Sequence, residues 1–281
     1  MATHTEELFN YFLCNEETVK LINARKKDVI DDYQKNKWKY RKYGNLSSNI
    51  ISAIKDIEDV SERTIGQCLN WASHVKEVCK TELEQLCTNI AEKKNVYEKA
   101  LTDGDRRLID EVSNDIDVLR YLYELPDSIA PTNKESALIE KQVLIIKGKA
   151  GVGKSQLFAV TAEKSIEKER PVIFVLGTYY LKNESVCIQT PEILGLNLSM
   201  DAILHKLESL GVQQSGFAYV FLDAINETTY KNIWYVGLWN LIEKIQNYPH
   251  VKLVISVRNG YEKIVFDDTI LKQKILSPQK E

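Results

Sequence analysis

This sequence is poor in the residues that punctuate or cross-link a chain, with 12 glycines, 6 prolines, 5 cysteines and 2 methionines among 281 residues. Cys14, Cys68, Cys79, Cys87 and Cys187 are odd in number and show no C-x-x-C spacing. That argues against a disulfide framework and against a zinc knuckle, and leaves buried reduced thiols as the expectation. No apolar run approaches the ~20 residues a membrane-spanning helix needs. The opening MATHTEELFN lacks the basic region and the apolar core of a signal peptide. Charge of one sign is missing too: 37 Lys plus Arg against 40 Asp plus Glu leaves a net charge of −3, so no global field draws the chain to nucleic acid or to an anionic membrane. The expectation is a cytoplasmic protein with no membrane contact and no nucleic-acid partner. What is present, 44% hydrophobic and 27% charged residues, is the composition of a globular protein of one large or two ordinary domains.

Two halves differ in period. Up to about Glu140 the apolar residues recur at helical spacing. Ala72, Val75, Cys79, Leu83, Leu86 and Ile90 fall on one helical stripe, and Leu108, Val112, Ile116, Leu119 and Tyr123 form a second after the turn signal Asp103-Gly104. Two such helices predict a hairpin. Ile50, Ile54 and Ile57 predict a shorter helix, and Asn15 with Glu17 predicts the start of another. This helical region, 1–124, ends at LPDSIAPTNKES, whose two prolines make 125–136 the expected linker.

From 137 onward short apolar runs, QVLIIK, PVIFVLG, AYVFLD and VKLVISV, alternate with helical stretches at Ser155 to Glu169, Ser199 to Leu210 and Lys231 to Asn247. Continuous apolar strands suit a parallel sheet covered on both faces, and the alternation predicts an α/β fold with right-handed crossovers.

Three of the glycines fall within the six positions Gly148 to Gly153. The stretch GKAGVGKS, Gly148 to Ser155, matches G-x-x-x-x-G-K-[ST] at every fixed position, after an expected strand and before an expected helix. Without a Cβ at Gly148, Gly151 and Gly153, backbone N–H groups can turn inward around phosphate oxygens, and the following helix adds its own free N–H groups. The candidate phosphate-binding set is therefore Gly148, Lys149, Ala150, Gly151, Val152, Gly153, Lys154, Ser155 and Gln156. Lys154 supplies a cation for the β and γ phosphates, and the Ser155 hydroxyl a ligand for Mg²⁺. The competing reading is a glycine-rich turn with an incidental lysine.

A carboxylate at the end of another buried strand completes such a site, and VFLDAINET supplies Asp223 as the second Mg²⁺ candidate. Glu227 is the candidate to polarise an attacking water. Many ATPases of this kind carry that glutamate directly after the aspartate, where this chain has Ala224, so a solvated loop residue is the alternative for Glu227. In VKLVISVRNGYE, Ser256 and Arg258 end the fourth strand, and both side chains are expected to point at the γ-phosphate. Lys154, Asp223, Glu227 and Arg258 are the candidate catalytic residues.

In this order and wording the motifs LIIKGKAGVGKSQL, RPVIFVLGTYY, VFLDAINET and LWNLIEKIQNYPHVKLVISVRNGYE resemble the STAND class of P-loop ATPases. These are relatives of NACHT and NB-ARC domains, and the likeness is to the AVAST (antiviral STAND) proteins of prokaryotic defence. The resemblance implies an ASCE-type core with sheet order 5-1-4-3-2, QKILSP as the fifth strand, ATP and Mg²⁺ as ligands, and Arg258 as a γ-phosphate sensor. It implies a slow ATPase acting as a signalling switch, with an effector or adaptor in the helical N-terminal region that binds a protein partner, and homo-oligomers of the full-length protein. It also implies a lid and a winged helix after the core, of which the chain stops short. The family often has aspartate then glutamate where this chain has Asn226 and Glu227, and the departure at Asn226 predicts slow hydrolysis. A different class of protein remains open: a non-hydrolysing scaffold that nucleotide merely stabilises, its hairpin binding a partner.

The segment KNKWKYRKYGN, Lys35 to Asn45, interleaves basic and aromatic residues. It is read as an exposed linker whose rings pack on the helices, against clamping of single-stranded nucleic acid.

Overall fold

The structure, a computed structural model, describes residues 4–214, 216–261 and 265–266. It divides into two compact units, Asn15–Ser136 on one side and Met1–Cys14 with Ala137–Glu281 on the other. The chain opens with α1 (His4–Leu13), which groups with the second unit rather than with the helices that follow it.

In the first unit α2 (Glu16–Lys35) starts at Asn15, whose side chain accepts from the Thr18 N–H at 3.1 Å, with Glu16 and Glu17 in the first turn. A 3-10 segment (Lys37–Tyr43) leads into α3 (Gly44–Asp56), which buries Ile50, Ile51 and Ile54. The first long stripe is not one helix. It breaks at Cys79 (φ −101°, ψ 26°) into α4 (Trp71–Val78) and α5 (Lys80–Asp103). The Cys79 N–H still bonds to Val75 O and the Leu83 N–H to Cys79 O, both at 2.9 Å, so Val75, Cys79, Leu83 and Leu86 stay buried across the break.

Gly104 closes α5 in the left-handed conformation (φ 73°), and Asp105 caps α6 (Arg106–Ser128) by accepting from the Leu108 N–H at 3.1 Å. The two helices pack as a hairpin. α6 buries Val112, Ile116, Leu119 and Leu122, while Tyr123 is exposed because Leu122 takes the inward place.

The expected linker is mostly helical. α6 runs through Pro126, which is buried in its last turn, where a proline forfeits only one intrahelical bond. α7 (Asn133–Glu140) then begins with a capping box: the Thr132 N–H bonds Glu135 Oε2 at 2.7 Å and the Glu135 N–H reaches Thr132 Oγ1 at 3.4 Å. Glu135 is held in turn by Arg25 at 2.9 Å.

The second unit is α/β. It contains β1 (Val143–Gly148), α8 (Lys154–Glu167), β2 (Val172–Leu176), α9 (Val186–Ile193), α10 (Met200–Gln214), β3 (Ala218–Asp223), α11 (Ile233–Ile245) and β4 (Val251–Arg258). The four strands are all parallel, in the order β1-β4-β3-β2. The QKILSP run lies outside the described residues.

Burial on both faces explains the continuous apolar strands. Val220, Leu222, Leu253 and Ile255 share a core with Ile203, Leu204, Leu207, Trp234, Leu238 and Leu241 of α10 and α11. On the opposite face Phe221 meets Phe158 of α8, ring centroids 5.4 Å apart, and Phe158 meets Phe9 of α1 at 6.0 Å. Tyr219 Oη donates to Leu13 O at 2.6 Å, fastening the end of α1 to β3.

Cys14, Cys68 and Cys79 are buried free thiols, whereas Cys187 is half-buried and Cys87 is exposed, against the expectation of burial. Among the described residues no helix is long and apolar enough to cross a membrane.

Candidate functional site

In a parallel sheet all strands end at one edge, and that edge is where the loops can build a site. Gly148 of β1 is in register with Arg258 of β4, and Asp223 is the last residue of β3, the next strand over. Side chains two apart on a strand share a face. The register that pairs Tyr219 with Lys252 and Phe221 with Val254 therefore sets Asp223 and Ser256 on one face, with Arg258 following Ser256 on it.

Lys149 to Gly153 form the turn from β1 into α8, with Gly151 and Gly153 in left-handed conformations (φ 73° and 87°) that disfavour any side chain. A Cβ on Gly148 would lie 3.0 Å from Val152 Cγ2 and 3.5 Å from Lys154 Cδ, so the turn folds closely over the strand end. Lys154, Ser155 and Gln156 make the first turn of α8, which begins after Gly153 with no side-chain cap on its N–H groups. The Lys154 ammonium bends back into the turn and donates to Gly148 O at 3.0 Å and Lys149 O at 2.9 Å. Gly148 O also accepts from the Asn259 N–H at 3.1 Å, joining the turn to the end of β4.

Three separate stretches of sequence converge here. Burial pushes the pKa of the Lys154 ammonium below its ordinary value; the Asp223 carboxylate opposes that, the Arg258 guanidinium adds to it, and Glu227 opposes it more weakly. Asp223, Glu227 and Arg258 are thus each within electrostatic reach of Lys154. Asp223 is only 1% exposed, whereas Glu227 and Arg258 are exposed.

The turn fits an anion: it offers a cation, two left-handed glycines and an uncapped helix start. For a divalent cation the set is lean. Among the described residues no group of three or more His, Cys, Asp and Glu side chains could hold a metal ion, so Asp223 and the Ser155 hydroxyl are the available donors and other ligands would have to come with the cation. A comparison with models of known protein families finds no match, and no curated protein matches the chain.

Several residues that shape this edge carry no signal in the motif. Ser256, expected to point at a γ-phosphate, instead donates its hydroxyl hydrogen to Asp223 Oδ1 and accepts from the Ala224 N–H at 2.8 Å. It orients the buried carboxylate rather than presenting itself. Asn226 is buried, and its Oδ1 accepts from the Arg258 N–H at 2.9 Å, tying the loop after β3 to the end of β4. An acidic residue in that place could accept the same bond but would add a buried charge.

Ala224, between Asp223 and this link, is a non-glycine residue in the left-handed region (φ 52°). That conformation costs an alanine roughly 1–2 kcal/mol. Ala224→Gly is therefore expected to raise stability by about 0.5–1 kcal/mol net of glycine's greater unfolded-state freedom, read as a higher denaturant midpoint at unchanged slope.

Proposed function

We propose that this chain carries a Mg-ATP-binding module of the STAND type, acting as a slow nucleotide-controlled signalling switch in prokaryotic antiviral defence. The observation that carries this reading is the convergence of Lys154, Asp223, Glu227 and Arg258 at the ends of three adjacent parallel strands, beside a turn with two left-handed glycines. Under this reading the N–H groups from Lys149 to Gln156 hold the phosphates, with the Lys154 ammonium leaving Gly148 O and Lys149 O to meet the β and γ oxygens. Ser155 and Asp223 hold Mg²⁺, which when bound neutralises charge on the phosphate oxygens. Ser256 keeps the Asp223 carboxylate oriented toward the cation. Exposed Glu227 orients a water, and Arg258, its backbone anchored by Asn226, offsets charge on the leaving phosphate. Ala224, standing where many ATPases of this kind carry the glutamate, and the neutral Asn226 both favour slow turnover over fast hydrolysis.

Calorimetry with Mg-ATP tests the binding step. The parent chain is expected to bind, and Lys154→Ala to bind about tenfold or more weakly, as befits loss of a charge-assisted contact. Absence of any heat from the parent at millimolar nucleotide removes the reading.

The alternative, a scaffold that nucleotide only stabilises, draws support from the α5–α6 hairpin, which leaves Val96 and Leu101 exposed. Phosphate release separates the two. A switch loses its slow release in Lys154→Ala, whereas a scaffold has none to lose and changes only in thermal stability.

A further inference from the structure

The segment Lys37–Tyr43 folds as a 3-10 helix, in which side chains three apart lie one above the other. Of one line, Tyr40 and Tyr43 turn toward the helical unit, while Lys37, at the start of the segment, stays exposed. Tyr40 is buried in a stack between Tyr33 and Tyr121, with centroid distances of 5.2 and 5.3 Å and rings within 5° of parallel. The Tyr33 hydroxyl hydrogen-bonds Ser47 Oγ at 2.8 Å, and Tyr121 Oη donates to Asp32 at 2.8 Å. Lys42 is fixed to Asp115 at 2.6 Å. The segment therefore stands on a firm base.

What it presents outward differs from the expected linker with packed rings. Trp38 is 73% exposed, more than any other large hydrophobic residue among the described ones, and it shares its line with Arg41. The Lys39 ammonium lies over one face of the indole, Nζ 5.5 Å from its centroid, which leaves the other face for a base. Lys35, Lys37, Lys39 and Arg41 are exposed, and none of them forms an ion pair among the described residues, although the chain carries more acids than bases. The balance of the whole chain argued against nucleic acid only because it averages over the surface. Lys35 to Asn45 itself carries five cations and no acid.

We propose that this face binds single-stranded nucleic acid, with Trp38 as the stacking platform for an unpaired base and Lys35, Lys37, Lys39 and Arg41 meeting the phosphates on either side. An exposed indole among cations, on a backbone that needs no ordering, is what stacking on unpaired bases requires. A duplex keeps its base faces covered. A membrane surface calls for a broad apolar face, and here Tyr40 is turned inward and one ring is all that projects. The 3-10 helix spans about 14 Å, so it serves a few nucleotides, not a long groove.

The test uses the whole chain, a fluorescent oligothymidine and oligouridine of about 12 nucleotides, the corresponding duplex, a polyglutamate peptide, and vesicles containing phosphatidylserine. The expected result is binding of the single strands at low salt, with log K falling against log salt at a slope of about −2, for roughly three phosphates neutralised. Trp38→Ala is expected to weaken binding about tenfold, and Lys39→Glu with Arg41→Glu to abolish it. Both changes lie on exposed residues, so the unfolding temperature should stay at the parent value. Lys154→Ala should leave oligonucleotide binding unchanged, which separates this face from the phosphate turn. The proposal is overturned if the parent fails to bind single strands at low salt, or if Trp38→Ala binds as the parent does. It is equally overturned if duplex, polyglutamate or vesicles bind as well as the single strands.

Discussion

The Lys252→Ala protein is expected to unfold with about 3–5 kcal/mol less stability than the parent, from a cavity combined with stranded carbonyls. Lys252 lies near the start of β4 and is 1% exposed. Among the described residues no carboxylate pairs with it. Its ammonium donates instead to Phe12 O at 2.7 Å, Ile139 O at 2.9 Å and Lys141 O at 3.2 Å, and it lies 4.8 Å from the Phe12 ring centroid and 4.6 Å from that of Phe217. Phe12 belongs to the last turn of α1 and Ile139 to the last turn of α7, so one cation serves the negative ends of two helices. It is also the reason α1 groups with the α/β unit: together with the Tyr219 bond to Leu13 O, it ties down the end of that helix.

Lys252→Met keeps most of the volume but not the donor, and should lose about half as much. The two variants thus separate packing from hydrogen bonding in a thermal or denaturant melt.

The pH dependence follows from the same group. Burial pushes the Lys252 pKa below its ordinary value, with the neighbouring Cys14 thiol opposing the shift. Between the lowered folded value and the unfolded value of about 10.4, the unfolded chain binds more protons than the folded one, so stability contributed by this site rises with pH. The parent should therefore gain on Lys252→Met as pH climbs through that window and cease to gain above it. A pH-independent difference would mean that the lysine titrates alike in both states.

Gly177→Ala is expected to cost about 3 kcal/mol and to disturb the candidate site directly. Gly177 follows β2, and a Cβ there would fall 2.3 Å from Ala224 O, 2.8 Å from Ala224 C and 2.9 Å from Ile225 Cα. All three are backbone atoms of the loop that leaves Asp223, so no side chain can swing aside to make room. The same loop is held from below. Thr228 Oγ1 accepts from Trp234 Nε1 at 2.8 Å and has the carbonyls of Ile225 and Gly177, at 2.8 and 3.2 Å, in reach of its one proton.

Moving the loop breaks this chain of bonds and shifts Asp223, Asn226 and Glu227 together. The near-ultraviolet dichroism of buried Trp234 should report it. Gly66→Ala is the control, because a Cβ at Gly66 meets nothing within 4 Å; it should change stability by no more than about 0.5 kcal/mol. Equal behaviour of the two alanine variants would refute the close approach.

The contrast between Gly148 and Gly177 marks where sequence reasoning stops. Gly148 belongs to a local pattern: strand, glycines at fixed spacing, lysine, helix. Such a pattern is legible because the constraint and the residues that answer it are neighbours in the chain. Gly177 is a lone glycine after an apolar run, and its partner is the backbone at Ala224, remote in sequence. The bond from Ser256 to Asp223 and the bond from the Arg258 N–H to Asn226 are equally silent, since they depend on which strands lie side by side. The capping box at Thr132 and Glu135 is a local pattern too, but it sits beside Pro126 and Pro131, whose usual effect is to interrupt helices.

From the amino-acid order alone came the α/β character of the second half, the four strands within a residue or two, the hairpin of the first half and the glycine turn before α8. These depend on periodicity and turn chemistry over a few residues. Only the folded chain decided that α1 joins the second unit, that Lys252 is a buried cation between two helix ends, that Trp38 projects while Tyr40 packs, and that Asp223 is held by Ser256. Each of those depends on which side of a segment meets something else, and on what that something is. The energy of burying a charge or a ring is set by partners distant in the chain, so it becomes visible only once the sheet register has brought them together.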